Sequence, residues 1–412
     1  MEVGRTTPAA ARSARPPVPS GAPRPDRARR GQRAGRLSAP SRLAGVDLAR
    51  GLAVLGMCAA HLLELPTFRW SDPLTLPGLA QGHASILFAT LAGVSLALGT
   101  PGPPAPGGEA GAAPRRLGRP RRRLVVRAAL IWALGLALVC TGVPVQVILP
   151  AYGLLFLVAV PLLGLGPRAL AVVACSLATG MPVLVAWLSE AWWPGVSGAS
   201  SWQARLGWHY PFPVWAAFLA AGLAVGGLLR REREHGSAGP PSAVTPSGRL
   251  LGQLAGVGAL LALLGHGLLG VLGRRAAAAE PEPFSSGWLV SVLRDDPHSS
   301  GVGEVVGSTG VVLAVLALGL LACRTRLGTL LWPLRAVGSM PLTAYVGHLL
   351  GWALWLRLAA APGADPVAGF RALDPFWPTV ALTLLACSLW AALLGRGPLE
   401  ALVAWVARRL AG

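Results

Sequence analysis

The chain is short of charge. Of its 412 residues only 13% are Asp, Glu, Lys or Arg, where soluble globular proteins carry roughly 25%. Lysine is missing altogether, so all 36 basic residues are arginines. The five cysteines (Cys58, Cys140, Cys175, Cys323 and Cys387) are odd in number, lie inside apolar runs and form no Cys-x-x-Cys pair. That excludes a disulfide frame and a cysteine metal site and leaves them as small apolar residues. There is no P-loop, no His-Glu-x-x-His and no paired-carboxylate set suited to glycoside hydrolysis. The first 30 residues hold no continuous apolar stretch, so no secretory signal peptide is expected there.

What the sequence does have is hydrocarbon. Mean hydropathy is +0.56, and apolar windows of about 20 residues recur, the length that crosses roughly 30 Å of lipid. The expected fold class is all-α, a polytopic membrane bundle of about ten helices near 45–63, 82–99, 124–142, 146–165, 168–188, 212–229, 250–271, 304–323, 334–356 and 376–394. Pro150 and Pro161 interrupt the fourth of these. Residues 1–40 are rich in Arg, Pro, Ala, Gly and Ser without periodicity and read as a disordered basic tail. Residues 41–230 form one membrane half, 231–249 a linker, and 250–412 the second half. A final stretch, "GPLEALVAWVARRL", has the spacing of an interfacial helix.

The net charge is +19, and its arginines cluster in loops between apolar runs, which argues for topology control and against nucleic-acid binding. Alternate loops hold 27 arginines on one side and 7 on the other, with Arg50 and Arg127 inside spans. Short basic loops stay in the cytoplasm, so both termini are expected there. The Ala-, Gly- and Pro-rich, lysine-free composition fits a GC-rich bacterial genome, hence a bacterial plasma membrane.

Polar residues inside lipid are costly and rarely idle. In "DLARGLAVLGMCAAH" (47–61), Arg50 and His61 fall within about 20° of one helical face and about 16 Å apart along the axis. Asp47 is the helical neighbour of Arg50. The stripe Asp47, Arg50, Val54, Met57/Cys58, His61 should face the bundle interior. Six of seven histidines fall at or beyond the outer half: His61, His83, His209, His266, His298 and His348. In "PHSSGVGEVVGSTG" (297–310), His298 and Glu304 sit at one helix mouth, either to polarise an acceptor group or simply to cap the helix. "GHGLLG" (265–270) matches a dinucleotide-binding glycine pattern but lacks a preceding strand, so close helix packing is the better reading.

"RLAGVDLARGLAVLGMCAAH" resembles the first span of the transmembrane acyltransferase superfamily, whose family-3 enzymes repeat Arg, ten residues, His. "GHASILFATLAGVSLAL" (82–98) resembles the second span of the heparan-alpha-glucosaminide N-acetyltransferase and YeiB-like groups. "VGSMPLTAYVGHLL" (337–350) and "GRGPLEALVAW" (395–405) are similar to the YeiB-type C-terminal domain. The resemblance implies transfer of an acyl group, often acetyl, from cytoplasmic acyl-CoA to a sugar or envelope glycan across the membrane. Acyl-CoA would be a co-substrate, with no permanently bound cofactor and no metal. On that reading Arg50, beside Asp47, and Arg127 hold the anionic donor, and His61 is general base or acyl carrier. His83, His298 and Glu304 stand on the acceptor side. The partners implied are the lipid bilayer, acyl-CoA and the glycan, with homo-oligomerisation left open. Two rival readings stand: a transporter, in which the same stripe relays substrate and protons, and an inactive scaffold of the same fold. The second rests on His83, where YeiB-like proteins commonly carry Arg.

Overall fold

The computed structural model describes residues 1, 42–68, 72–102, 112–192, 209–235, 246–358, 365 and 367–412. The expected tail and most of the expected linker lie outside these residues. Everything described is helix and connection. The helices are α1 (Ala44–Leu62), α2 (His83–Gly99), α3 (Ala112–Val139), α4 (Leu149–Leu162), α5 (Pro167–Trp192), α6 (Phe212–His235), α7 (Gly248–Ala262), α8 (Gly270–Ala277), α9 (Ser286–Ser291), α10 (Val302–Ala322), α11 (Leu327–Leu330), α12 (Trp332–Ser339), α13 (Pro341–Leu358), α14 (Ala368–Arg371), α15 (Phe376–Leu393) and α16 (Pro398–Leu410). A 3-10 helix (Pro73–Ala80) leads into α2, and a π-helical stretch (Leu263–Leu269) joins α7 to α8.

Helices occupy all ten expected ranges. Among the described residues six helical stretches are long and apolar enough to cross a membrane: α1, α5, α6, α7 through α8, α10 and α15. A seventh arises when the 3-10 helix and α2, bent 49° to one another, count as one span. The other three ranges differ for visible reasons. In α3 the first half is loaded with arginine. Helix α4 has only 14 residues, with Pro150 in its first turn and Pro161 at its end, so neither proline breaks its middle. The 334–356 range is two helices, because Pro341 has no N–H to continue the ladder of α12. The chain is a multi-pass membrane protein.

Helix α1 is the hub, packed against α2, α10, α12, α13 and α15. Its closest crossing is with α12, where a Cβ on Gly338 would collide with the Asp47 carbonyl oxygen. Helix α6 is buried over 78% of its apolar window, α15 over only 17%, which makes α6 core and α15 periphery. One end of the bundle collects arginines that tie down backbone carbonyls at helix ends and in connections: Arg121 donates to Leu163, Arg230 to Ala97, Arg324 to Pro246 and Arg335 to Gly328. The start of α1 lies at that end, and His61 at the other.

Candidate functional site

Two cavities open along α1, one at each end of its polar stripe. The first, of about 680 Å³, is built around Arg50. Asp47 is 3% exposed and accepts Arg42 through both guanidinium nitrogens (3.0 and 2.9 Å) and Arg50 through one (2.7 Å). Arg50 also donates to the Gly338 carbonyl (3.0 Å) and to Ser95 Oγ (2.9 Å). A buried carboxylate is costly unless it is paired and hydrogen-bonded, and here two arginines meet one Asp. Arg127, 6.0 Å from the Phe156 ring centre, and Arg396 complete a wall of four arginines against two carboxylates, Asp47 and Glu400. The excess of forked cations suits a phosphate-bearing ligand.

Glu400 has a structural job here. It accepts the backbone N–H groups of Leu342 (2.7 Å) and Thr343 (3.1 Å) and the Thr343 hydroxyl (2.6 Å). These are the orphan donors of the first turn of α13, so α16 caps α13 from across the cavity rim. The same amphipathic helix leaves Leu402, Trp405 and Leu410 exposed while burying Val403 and Ala407.

The second cavity, of about 240 Å³, is lined by His61, Tyr210, His298, Tyr345, Trp352 and Arg371 among others. His61 Nδ1 lies 3.1 Å from His348 Nε2, and His348 Nδ1 lies 3.4 Å from the Ala344 carbonyl oxygen. A carbonyl only accepts, so His348 carries its proton on Nδ1 and presents a lone pair at Nε2. His61 must then donate from Nδ1, which leaves Nε2 as a base. His348 packs edge-on to Tyr345, whose hydroxyl accepts the Ile148 N–H (3.3 Å). Arg371 donates to the His61 carbonyl (3.3 and 3.1 Å), holding the end of α1. Buried Trp352 borders this cavity, and its indole N–H has no hydrogen-bond partner among the described residues. Burial pushes the Tyr210 phenol up to about 12, so it remains a donor, directed at the Gln146 carbonyl (3.3 Å).

A thin wall divides the cavities. Leu149 and Tyr152 line the first, Ile148 and Ser85 line the second, and the Tyr152 hydroxyl donates to the Ser85 carbonyl at 3.4 Å.

Asp47, Arg50 and Arg127 thus meet at one cavity and His61 and His298 at the other, with α1 linking the two. Glu304 spends its carboxylate on the backbone N–H groups of His298 (2.7 Å) and Ser300 (2.6 Å) and on Ser299 Oγ (3.2 Å). It folds the loop that carries His298 and does not meet the His298 ring. His83 stands behind the second cavity, its ring against His266, while its neighbours Gln81, Gly82 and Ala84 form the lining. His348 pairs with His61 from 287 residues away, a contact that no local spacing encodes. Trp352 and Arg371 carried no pattern beyond their residue type, while Arg42 and Arg396 lay within stretches that resemble the superfamily without standing out there. For Arg42 the signal was a third charge five residues before Asp47.

Among the described residues no group of three or more His, Cys, Asp and Glu is placed to hold a metal ion. No curated protein matches the chain. A family model described as heparan-alpha-glucosaminide N-acetyltransferase, catalytic, matches residues 42–263. That is just over half of the chain, from the residue that clamps Asp47 to the first residue of the π-helical stretch. Both the buried Asp47–Arg50 pair and His61 fall inside the match, and the chain belongs to the heparan-alpha-glucosaminide N-acetyltransferase catalytic family.

Proposed function

We propose that the protein takes an acyl group, acetyl in the first instance, from acyl-CoA in the arginine-walled cavity and delivers it to a hydroxyl or amine in the His61 cavity. The acceptor is a sugar or cell-envelope glycan. The observation that carries this reading is the pair of cavities set end to end along α1 and separated by one layer of side chains. One cavity is built for an anion; the other holds a neutral imidazole with a free Nε2. On this reading the arginine end lies in the cytoplasm of a bacterial cell, where acyl-CoA is found, and the His61 end outside its plasma membrane; the arginine-rich loops support that orientation.

In this scheme Arg42, Arg50, Arg127 and Arg396 hold the phosphates, and the thioester reaches toward the wall. His61 Nε2 removes the acceptor proton as the acceptor attacks the thioester carbonyl. The carbon–sulfur bond breaks, and the departing thiolate takes up a proton to leave as free CoA. His348 positions His61 by fixing its tautomer. The YeiB-like similarity of residues 337–350 and 395–405 fits this division, because those stretches supply Arg396 and Glu400 to the first cavity, Tyr345 to the second, and His348 as the partner of His61.

The test is binding and turnover of radiolabelled acetyl-CoA by the purified protein, with and without crude envelope glycan. Wild type should bind and transfer label, and His61→Ala should bind it without transfer. Absence of specific binding for acetyl-CoA and longer acyl-CoAs would move the assignment to transport.

A further inference from the structure

Behind the His61 cavity lies a second histidine pair that the proposed reaction does not use. His83, the first residue of α2, places Nδ1 3.3 Å from the Gln81 carbonyl oxygen and Nε2 3.4 Å from His266 Nε2. His266 turns Nδ1 to Asp295 Oδ2 at 2.9 Å, and the other Asp295 oxygen pairs with Arg274. Side-chain exposure is 11% for His266 and 9% for Asp295. The place is built by glycine: a Cβ on Gly307 would come within 2.6 Å of the His266 ring, and one on Gly270 would strike the Asp295 carboxylate. His266 sits in the π-helical stretch, a local widening of the helix that often marks functional positions.

Counting protons along this chain gives the inference. The Gln81 carbonyl needs N–H from His83. The contact between the two Nε2 atoms needs one hydrogen, on either ring. The Asp295 contact needs another, on His266 or on the carboxylate. Three protons therefore occupy three groups, whereas an ionised carboxylate and two neutral imidazoles hold only two. Arg274 against Asp295 favours the ionised carboxylate, which leaves the extra proton on the rings.

We propose that His83, His266 and Asp295 form a proton-binding site beside the second cavity, storing one proton shared between the two imidazoles. It is placed to matter there, because Gln81 and Gly82, next to His83 in the chain, line the cavity together with His298. The other charged groups around it are Arg274 on α8, Asp296 on the adjoining loop and Glu304 on α10, the last already held by backbone N–H groups. The site stands whether the protein transfers acyl groups or not, since it rests on hydrogen-bond stoichiometry alone.

The experiment is 15N NMR of the full-length protein, labelled at its seven histidines and held in lipid nanodiscs. At about pH 8 a free histidine, with an ordinary pKa of about 6.5, is almost wholly neutral. Wild type should still show two rings with shifts midway between neutral and cationic. Asp295→Asn, which keeps the shape and removes the counter-charge, should move their titration midpoint down. Arg274→Gln, which removes a competing cation, should move it up. Opposite shifts cannot come from a shared folding defect. Seven neutral rings in wild type at that pH, or shifts of the same sign in both variants, would overturn the proposal.

Discussion

The two histidine pairs sit at the same end of one bundle and do opposite things. In His61–His348 the terminal partner is the Ala344 carbonyl, so two protons satisfy every contact and the chain ends in a lone pair at the cavity. In His83–His266 a carbonyl stands at one end and a carboxylate at the other, so every contact demands a third proton. The rings are the same; the groups at the chain ends decide whether a pair is a base or a store. Histidine is suited to both roles because its ordinary pKa lies near neutral.

The comparison breaks first at His61. His61→Ala should cut acyl transfer by about 10²–10⁴-fold, the usual share of a positioned base, with expression and acetyl-CoA affinity unchanged. Turnover near the wild-type rate at normal expression would remove the residue from the chemistry. His348→Gln should cost less, roughly 10-fold to 100-fold, because part of the base's contribution survives in a ring that samples other tautomers. The readout that separates positioning from structure is a kcat loss at constant KM, with an altered pH profile. Arg50→Ala sharpens the contrast from the far end of α1. It should weaken acetyl-CoA binding by about 10-fold to 100-fold, in line with roughly 1.5–3 kcal/mol for a hydrogen bond to a charged group, and leave both histidine pairs intact by NMR. The smallest effect is expected for Gly307→Ala, which presses a methyl group on the His266 ring. Overpacking of this kind costs about 1–3 kcal/mol and should appear as a modest fall in thermal midpoint, with perturbed His83 and His266 signals and an unperturbed His61.

Much of this arrangement is legible in local spacing, and the reason is the helix. Arg50 and His61 are eleven positions apart, so regular geometry alone puts them on one face and sets their distance. Asp47 and Arg50 pair for the same reason. Hydropathy located the helices, but it could not show that Pro341 splits one range in two or that α4 is only 14 residues long. Contacts between helices left no trace in spacing: His348 with His61, and Asp295 with His266 across 29 residues and a turn. Glu304 was readable as either cap or reacting group, because both roles ask for an acid at a helix start. Its oxygens are taken up by the loop before α10, at the N–H groups of His298 and Ser300 and the Ser299 hydroxyl, and no side chain caps the helix itself. The "GHGLLG" stretch was set aside as helix packing, and two of its three glycines do pack, Gly265 against Gly307 and Gly270 against Asp295, while Gly267 meets nothing. The histidine between them faces a cluster that no linear pattern announces.

One feature near the C-terminus bears on handling the protein. The first turn of α13 has no neighbour of its own to receive its N–H groups, and Glu400, on the last helix of the chain, receives two of them. Arg396, three residues after the end of α15, lines the same cavity. Trimming the chain after α15, or forcing a bulky fusion onto its last helix, would therefore unfasten the rim of the arginine-walled cavity while leaving every long apolar helix in place. Such a protein would insert, purify and look sound, yet fail at that cavity. Purification handles belong at the N-terminus.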